Sequence, residues 1–297
     1  MVEHVPNPVL KIWACSSVVE RCPDKTEVEG SIPSMPTMVT PKIIYEDDNF
    51  LAIDKPAGVL VHSTQFRIQN SELKIKERTL VDWLVEKYPE IRNVGDEPET
   101  RPGIVHRLDK DTSGVMLVAR NQKYFEYLKS LFSPYGRSPE GRQGSQIKKT
   151  YLALVWGKLE PQKGIIEKPI KIKAGSVKRT VWQGKDEKKA VTEYKVIKFF
   201  KLKVDKEKEQ IFSLVEVMPK TGRTHQIRIH LSSIGHPIVG DSLYCKKGSP
   251  FGRSPVGRQF LHAESLEFPV GEGKRMKIEA ELPEDLKRVI DELWNYK

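Results

Sequence analysis

The stretch GIVHRLDKDTSG, residues 103–114, leads directly into the apolar segment VMLVA, residues 115–119. The apolar segment is typical of a buried strand, and such a strand fixes side-chain positions that a free loop would not. The His, Arg and Asp of this loop are therefore candidates for chemistry. The alternative is a structural turn in which Arg107 forms an ion pair with Asp109 or Asp111. Composition alone favours that alternative.

A second polar cluster, KTGRTHQIRIH at residues 220–230, is predicted to lie at the start of a helix over residues 224–234, capped by Thr224. His225 and Arg228 would then share one helix face, three residues apart. The free amides of a helix N-terminus suit an anion such as phosphate or a carboxylate. A solvated basic face is the alternative for any one of these residues, but it explains the whole set less well.

Outside these clusters, predicted strands and helices alternate irregularly, without a repeating βαβ unit. This pattern predicts an α+β fold with a mixed, mainly antiparallel sheet flanked by helices. Strands are predicted at residues 42–54, with a hairpin turn at 46–49, and at residues 151–156, 191–199 and 211–218. Helices are predicted to begin at Thr79, where Asp82 completes a capping box, at Asn121 and at Pro283.

The charge of the 297-residue chain favours a polyanionic partner. The net charge is +10, and residues 1–37 hold three basic and five acidic side chains, so the excess lies in the rest of the chain. Lysine and arginine side chains gain affinity for phosphates by releasing condensed counterions. Many soluble proteins reach this charge without binding nucleic acid, so charge alone does not decide the partner.

Two further features predict a cytoplasmic protein that is not bound to a membrane. No apolar run approaches the roughly 20 residues of a membrane-spanning helix, and no signal-peptide pattern opens the chain. The three cysteines, Cys15, Cys22 and Cys245, lack metal-ligand spacing, and their odd number argues against a disulfide framework.

Several segments together resemble the RluA family of pseudouridine synthases, and the likeness covers about residues 40–285. The combination of HRLD-x-x-TSG with GRTHQIR is highly specific to that family. The segments occur in family order: KPAG (55–58), GIVHRLDKDTSG (103–114), KTYLA (149–153), TGRTHQIRIHL (221–231), GHP (235–237), GD (240–241) and QFLHA (259–263).

The resemblance implies an enzyme that isomerises uridine to pseudouridine in structured RNA, either ribosomal or transfer RNA. Asp109 would be the nucleophile that attacks the ribose or the uracil, so that the base detaches, rotates and rejoins through carbon. Tyr151 would stack on the flipped base and move a proton, and Arg228 would be the partner of the catalytic carboxylate. Arg107 would fill the gap that the flipped uridine leaves in its stack.

The resemblance also implies a central active-site cleft, a monomer, and no metal or cofactor. The other residues expected to bind the substrate are His106, Lys55, Thr112, Arg223, His225 and His262. Residues 40–297 would form the catalytic domain. Residues 1–39 would be a poorly ordered extension, or the product of a misassigned start codon upstream of Met35 or Met38.

Two departures from the family pattern are apparent. Residues 1–40 are too short and too poor in basic helix to form the S4-like RNA-binding module of many relatives. The loop at residues 133–145 is longer than usual and contains SPYGRSPEGRQ (133–143), which recurs as SPFGRSPVGRQ (249–259) with two changes in eleven positions. This repeat is either an inserted surface segment or a pair of arginine loops that grip the RNA backbone.

Two other functions compete with this interpretation. A nucleoside or glycoside hydrolase also attacks an anomeric carbon, but most glycosidases need two carboxylates, and Asp111 is the one nearby candidate for the second. An RNA-binding or ribosome-assembly factor could retain the fold without catalysis. The presence of Asp109, Tyr151 and Arg228 argues against this second alternative.

Overall fold

The computed structural model describes residues 40–63, 77–133, 147–173, 178–205, 208–245, 257–271 and 273–295. The predicted extension at residues 1–39, with Cys15 and Cys22, lies outside the described residues. So does most of both SPxGRSPxGRQ segments, of which only Ser133 and residues 257–259 are described.

A large sheet forms the centre of the described chain. Its strands are β1 (Lys42–Glu46), β2 (Phe50–Lys55), β3 (Ser113–Ala119), β4 (Lys148–Trp156), β5 (Lys163–Glu167), β9 (Val191–Asp205), β10 (Lys208–Pro219), β11 (Leu261–Gly271) and β12 (Lys274–Glu279). Their order is β1-β2-β3-β11-β4-β10-β9-β5, with β12 paired to β11. Within the described ranges, the pairing of β3 with β11 is parallel and the other pairings are antiparallel. The α+β prediction with a mainly antiparallel, mixed sheet is confirmed.

A small second sheet contains β6 (Ile170–Ile172), β7 (Arg179–Thr180) and β8 (Lys185–Lys188), with β6 in the middle. The helices are α1 (Leu80–Lys87), α2 (Gln122–Phe132), α3 (Gln226–Ser233) and α4 (Glu284–Asn295), and a 3-10 helix covers Pro89–Asn93. None of the helices in the described chain is long and apolar enough to span a membrane.

The predicted hairpin turn and the predicted caps of two helices are confirmed. The segment at residues 42–54 is a hairpin of β1 and β2, and the Asp47 carboxylate accepts the amides of Asn49 and Phe50 in its turn. Thr79 and Asp82 form the predicted capping box. Asn121 caps α2 by accepting the Tyr124 amide.

Helix α3 differs from its prediction at the N-terminus. It begins at Gln226 and not at Thr224, because His225 adopts a left-handed conformation with φ 56° and ψ 20°. The side chain of Gln226 turns back and accepts the amide of Arg223 and the hydroxyl of Thr221. These bonds hold the turn that the Thr224 side chain was expected to cap. Gly235, with φ 88°, follows the helix as predicted.

Both faces of the central strands are buried. In strand β10, for example, Phe212 and Ser213 lie on opposite faces of the sheet, and both are fully buried. One hydrophobic cluster joins β4 and β10 to α3 and α4, for example through Leu231 and Leu286. A second cluster joins β2 and β3 to α2, for example through Leu128. The middle of the sheet is therefore a rigid base for the loops at its ends.

Strand β11 lies between β3 and β4 at very close range. Ala263 pairs with Gly114 of β3 on one side and with Tyr151 of β4 on the other. Gly114 has φ 117°, and a Cβ atom at this position would collide with the backbone of Ala263. Glycine is therefore required where the loop at residues 103–112 enters β3.

We predict that Gly114→Ala lowers the free energy of unfolding by about 3 kcal/mol, from the left-handed backbone and the collision with Ala263 together. Urea denaturation measures the change. The matched control is Gly222→Ala, because a Cβ atom on Gly222 has no neighbour within 4 Å. Equal stability of the two variants would contradict the prediction.

Candidate active site

An open cavity of about 350 Å³ lies at the ends of the central strands. Its walls come from the loop at residues 105–112, from β4 and β11, and from the segment at residues 219–228 that leads into α3. Of the residues predicted from the sequence, eight line this cavity: Arg107, His106, Asp109, Thr112, Tyr151, Arg223, His225 and Arg228. Lys55 and His262 do not line it.

Asp109 faces the cavity and is held by an ion pair across it. Its Oδ2 atom accepts a hydrogen bond from Nη1 of Arg228 at 2.9 Å and lies 3.8 Å from Nε2 of His225. The Asp109 side chain is 19% exposed, so one part of the carboxylate is buried and another can be reached from the cavity. Among the residues that line the cavity, Asp109 is the one with a carboxylate.

Arg228 is fixed from behind by a second carboxylate. Its Nε and Nη2 atoms donate to the two oxygens of Asp241 at 2.7 and 2.9 Å, which leaves Nη1 for Asp109. Asp241 is fully buried and also accepts the amides of Leu243 and Tyr244. Burial opposes the charge on Arg228, but the hydrogen bonds and charge of Asp241 raise the pKa of Arg228 above its ordinary value. The guanidinium is therefore a fixed positive charge aimed at Asp109.

His225 also lies next to Asp109. It does so from the position before α3, and not from a face of the helix as predicted. Its left-handed conformation places Nδ1 2.8 Å from the hydroxyl of Tyr244 and directs Nε2 towards Asp109. Burial lowers the pKa of His225, although the charge of Asp109 opposes this shift. The ring of Tyr244 also lies 5.2 Å from the guanidinium carbon of Arg228.

Tyr151 extends from β4 into the cavity. The side chain packs against two hydrophobic clusters, one around β4 and β10 and one around β2 and β3, which fixes the position of the ring. Burial, and then the negative charge of Asp109, raise the pKa of the Tyr151 phenol above its ordinary value. The side chain therefore offers a flat, protonated phenol beside the carboxylate.

His106 lines the cavity but has a structural partner. Its Nε2 atom accepts the amide of Leu117 at 2.9 Å, so the proton of the neutral ring lies on Nδ1. The ring stacks on Phe132 at 4.3 Å between centroids. Burial, and then the charge of Lys149, lower the pKa of His106 to about 3. This side chain is therefore an uncharged part of the wall.

Lys55, which was predicted to bind the substrate, does not lie at the cavity. The side chain is fully buried, and its ammonium donates to the carbonyl oxygens of Pro56, Val59 and Lys110 at 2.8 to 3.0 Å. All three protons are thereby used. Lys55 instead ties the turn after β2 to the loop that carries Asp109.

His262, which was also predicted to bind the substrate, is buried and does not line the cavity. Its Nε2 atom donates to the carbonyl of Ala280 at 3.2 Å, and Nδ1 is 3.0 Å from the hydroxyl of Ser113. Burial lowers the pKa of His262, consistent with a neutral ring. Its imidazole links β11 to the start of β3.

Thr112, Arg258 and Gln259 form hydrogen bonds that hold the loop carrying Asp109. The Thr112 hydroxyl accepts a hydrogen bond from Gln259 at 2.8 Å, and its amide donates to the carbonyl of Asp109. Arg258 forms a bidentate ion pair with Asp285 and donates to the carbonyl of Asp111. The guanidinium of Arg258 is therefore bound within the protein; the other arginines of the repeats lie outside the described residues.

The ion pair that would make the HRLD segment a structural turn is not formed. Among the described residues, Arg107 forms no ion pair with Asp109 or Asp111, and its side chain is exposed at the cavity. Asp109 pairs with Arg228, 119 positions further along the chain. Asp111 is exposed and does not line the cavity, so it does not supply the second carboxylate that a glycosidase requires.

Sequence reasoning did not assign a role to three residues of the site. Asp241 was noticed only as part of the GD segment, although a buried arginine needs carboxylate partners. Tyr244 gave no signal. Lys149 is buried at the cavity wall, donates one hydrogen bond of 3.3 Å to the carbonyl of Thr221, and has its pKa lowered to about 8 by burial and by nearby Lys220 and Arg223.

In the part of the chain that the structure describes, no group of three or more His, Cys, Asp or Glu could hold a metal ion.

Comparison with known proteins gives one consistent result. A family model described as RNA pseudouridylate synthase matches residues 49–233. An uncharacterized RNA pseudouridine synthase of Aquifex aeolicus is 34% identical over 293 residues, covering 97% of this chain and 82% of that protein. The ribosomal large subunit pseudouridine synthase D of Borreliella burgdorferi is 31% identical over 261 residues, covering 88% of this chain and 70% of that protein.

A third relative and one solved structure agree with these matches. The ribosomal large subunit pseudouridine synthase D of Pseudomonas aeruginosa is 35% identical over 257 residues, covering 82% of this chain and 69% of that protein. The structure of human RNA Pseudouridylate Synthase Domain Containing 4 has the same fold, with a TM-score of 0.59 and 23% identity. That match covers 85% of this chain and 93% of the human chain.

We predict that Asp241→Ala lowers the free energy of unfolding by about 3–5 kcal/mol, because it removes half of a buried ion pair and the acceptor of two amides. Urea denaturation of the purified protein measures this loss. The control is Glu267→Ala, which breaks the exposed ion pair with Arg275 and should cost less than about 1 kcal/mol. A loss at Asp241 no larger than that of the control would contradict the prediction.

Proposed function

The chain belongs to the RluA family of RNA pseudouridine synthases, and we propose that Asp109 is its nucleophile, acting on a flipped-out uridine of large-subunit ribosomal RNA. One observation carries the assignment of Asp109: a carboxylate at the cavity wall is fixed by the 2.9 Å bond from Arg228. The names of the Borreliella and Pseudomonas relatives support the choice of RNA.

The proposed reaction balances without a co-reactant. The bond between N1 of uracil and C1′ of ribose breaks, and a bond between C5 and C1′ forms. A proton leaves C5, and a proton is taken up at N1. Asp109 attacks either the ribose or the uracil ring, and the base rotates while it is detached from the sugar. A fixed nucleophile is favoured here because its orientation needs no rearrangement during the reaction.

Tyr151 is proposed to stack on the flipped uracil and to move a proton. The side chain is held by the clusters around β4 and β10 and around β2 and β3, and stacking on an aromatic face is a usual way to bind an extruded base. Because burial and the charge of Asp109 raise its pKa, the phenol is protonated and uncharged at neutral pH.

Arg107 is proposed to replace the flipped uridine in the RNA stack. Its side chain is exposed at the cavity and lies two positions from Asp109 in the loop. Extruding a base costs a few kcal/mol, and a planar guanidinium that takes its place offsets part of that cost. Lys149 and Arg223, together with Arg228, give the cavity a positive charge that suits the phosphates around the target nucleotide.

We predict that Asp109→Asn abolishes pseudouridine formation while RNA binding stays within about threefold of wild type, because the amide keeps the shape but is not a nucleophile. The assay is release of tritium from RNA labelled at C5 of uridine, since that proton leaves during the reaction. Filter binding on the same RNA is the control. If Asp109→Asn released tritium at the wild-type rate, Asp109 would not be the nucleophile.

We also predict that tritium is released from transcripts of large-subunit ribosomal RNA and not from bulk transfer RNA. The measurement compares the two labelled substrates at equal uridine concentration. Release from transfer RNA alone would change the assigned substrate. Appearance of free uracil would indicate a hydrolase, and binding without any release would indicate an RNA-binding factor.

A further inference from the structure

A strongly basic surface lies beside the candidate active site. It comprises residues 168–173 and 178–189, which contain the three short strands β6, β7 and β8, and we call it the basic sheet. This segment holds eight basic and two acidic side chains. One of its acidic residues, Glu187, pairs with Lys171 at 2.8 Å. Lys185, Lys188 and Lys189 are exposed.

The basic sheet is attached to the elements that hold Asp109. The amide of Arg179 donates to the hydroxyl of Tyr244, which in turn contacts His225. Nε of Arg223 donates to the carbonyl of Lys189 at 3.1 Å. Ile170 packs against Ile229 of α3. The surface is therefore continuous with the cavity rather than separate from it.

Trp182 stands out on this surface. It lies in the turn between β7 and β8 and is 70% exposed, although tryptophan normally buries most of its area. The turn itself is well defined, because the Trp182 amide donates to the hydroxyl of Thr180 at 3.0 Å. Lys168 is 5.9 Å from the ring centroid. The result is a large aromatic face, held by its backbone, among lysines.

We propose that the basic sheet binds an unpaired RNA segment next to the target uridine, with Trp182 stacking on a base and the exposed lysines contacting phosphates. An aromatic face among cations is the arrangement by which proteins bind single-stranded nucleic acid without reading its sequence. Base-paired RNA hides its bases in the stack, so the partner is an unpaired segment. The proposal rests on the proposed function, because it adds a second contact for the same RNA.

Trp294 provides a matched comparison within the same chain. It is 57% exposed, but Nζ of Lys198 lies 2.8 Å from its ring centroid and Phe200 packs against it edge-on. Its ring is therefore already engaged by the protein, and it lies on α4 and not on the basic sheet. Replacing Trp294 removes an exposed indole without touching the proposed surface.

The test measures binding of a fluorescein-labelled, uridine-rich single-stranded RNA of 12 nucleotides by the full-length protein. Trp182→Leu should weaken binding roughly tenfold, the loss expected for one stacked base. Trp182→Phe should stay within about threefold of wild type, since it retains an aromatic face. Trp294→Leu should bind like wild type. Wild-type affinity in Trp182→Leu, or an equal loss in Trp294→Leu, would overturn the proposal.

Two further measurements identify the partner. Replacing Lys185 and Lys188 with Gln should reduce the slope of log affinity against log salt by about 1.4, as expected when two phosphate contacts are lost on a single strand. A fully paired RNA duplex of the same length should show no dependence on Trp182. An unchanged slope, or an equal effect on the duplex, would count against an unpaired segment.

The outcome can be separated from that of the proposed function, because binding of the oligonucleotide needs no turnover. If binding depends on Trp182 but wild-type protein releases no tritium, the proposed function fails and the basic sheet stands. If tritium is released but Trp182→Leu binds like wild type, only the basic sheet fails. Unchanged thermal melting of Trp182→Leu shows that the variant is folded.

Discussion

Arg228 joins three distant parts of the chain through one guanidinium group. Two of its nitrogens are bound by Asp241, and the third is thereby aimed at Asp109. A buried guanidinium with one carboxylate would be free to rotate, and a buried carboxylate without a cation would be costly. The position of Asp109 therefore depends on Asp241, which does not line the cavity.

The surroundings of this ion-pair chain are built to keep it in place. The ammonium of Lys55 donates hydrogen bonds to three backbone carbonyls, and one of these carbonyls, that of Lys110, belongs to the loop of Asp109. Gln226 folds back on the turn before α3, so that Arg228 lies two residues into a fixed helix. Both are polar side chains used for positioning, in a region where each unpaired polar group would destabilise the fold.

The fold was predictable from sequence where the deciding interaction is local. The capping box of Thr79 and the cap of Asn121 act within one helical turn, and the hairpin at Asp47 closes over four residues. The start of α3 was not predictable in this way, because the Gln226 side chain that holds this turn is itself held by the carbonyl of Val191 and the hydroxyl of Thr192 on β9, more than 30 positions earlier in the chain. The candidate site was found through its motifs, but Lys55 and His262 show that a polar residue in a motif can be structural. Their burial is set by strands that pair over long distances, which no local pattern reveals.

The place of β11 in the sheet determines the order in which the protein can be assembled during synthesis. Strands β1, β2 and β3 form one half, and β4, β10, β9 and β5 form the other; among the strands of the described residues, β11 is the one that bridges them. Until residues 261–271 leave the ribosome, β3 and β4 each present an open edge with unpaired amides and carbonyls. The two half-sheets can therefore be joined only after this late strand is available, and open strand edges of this kind favour aggregation.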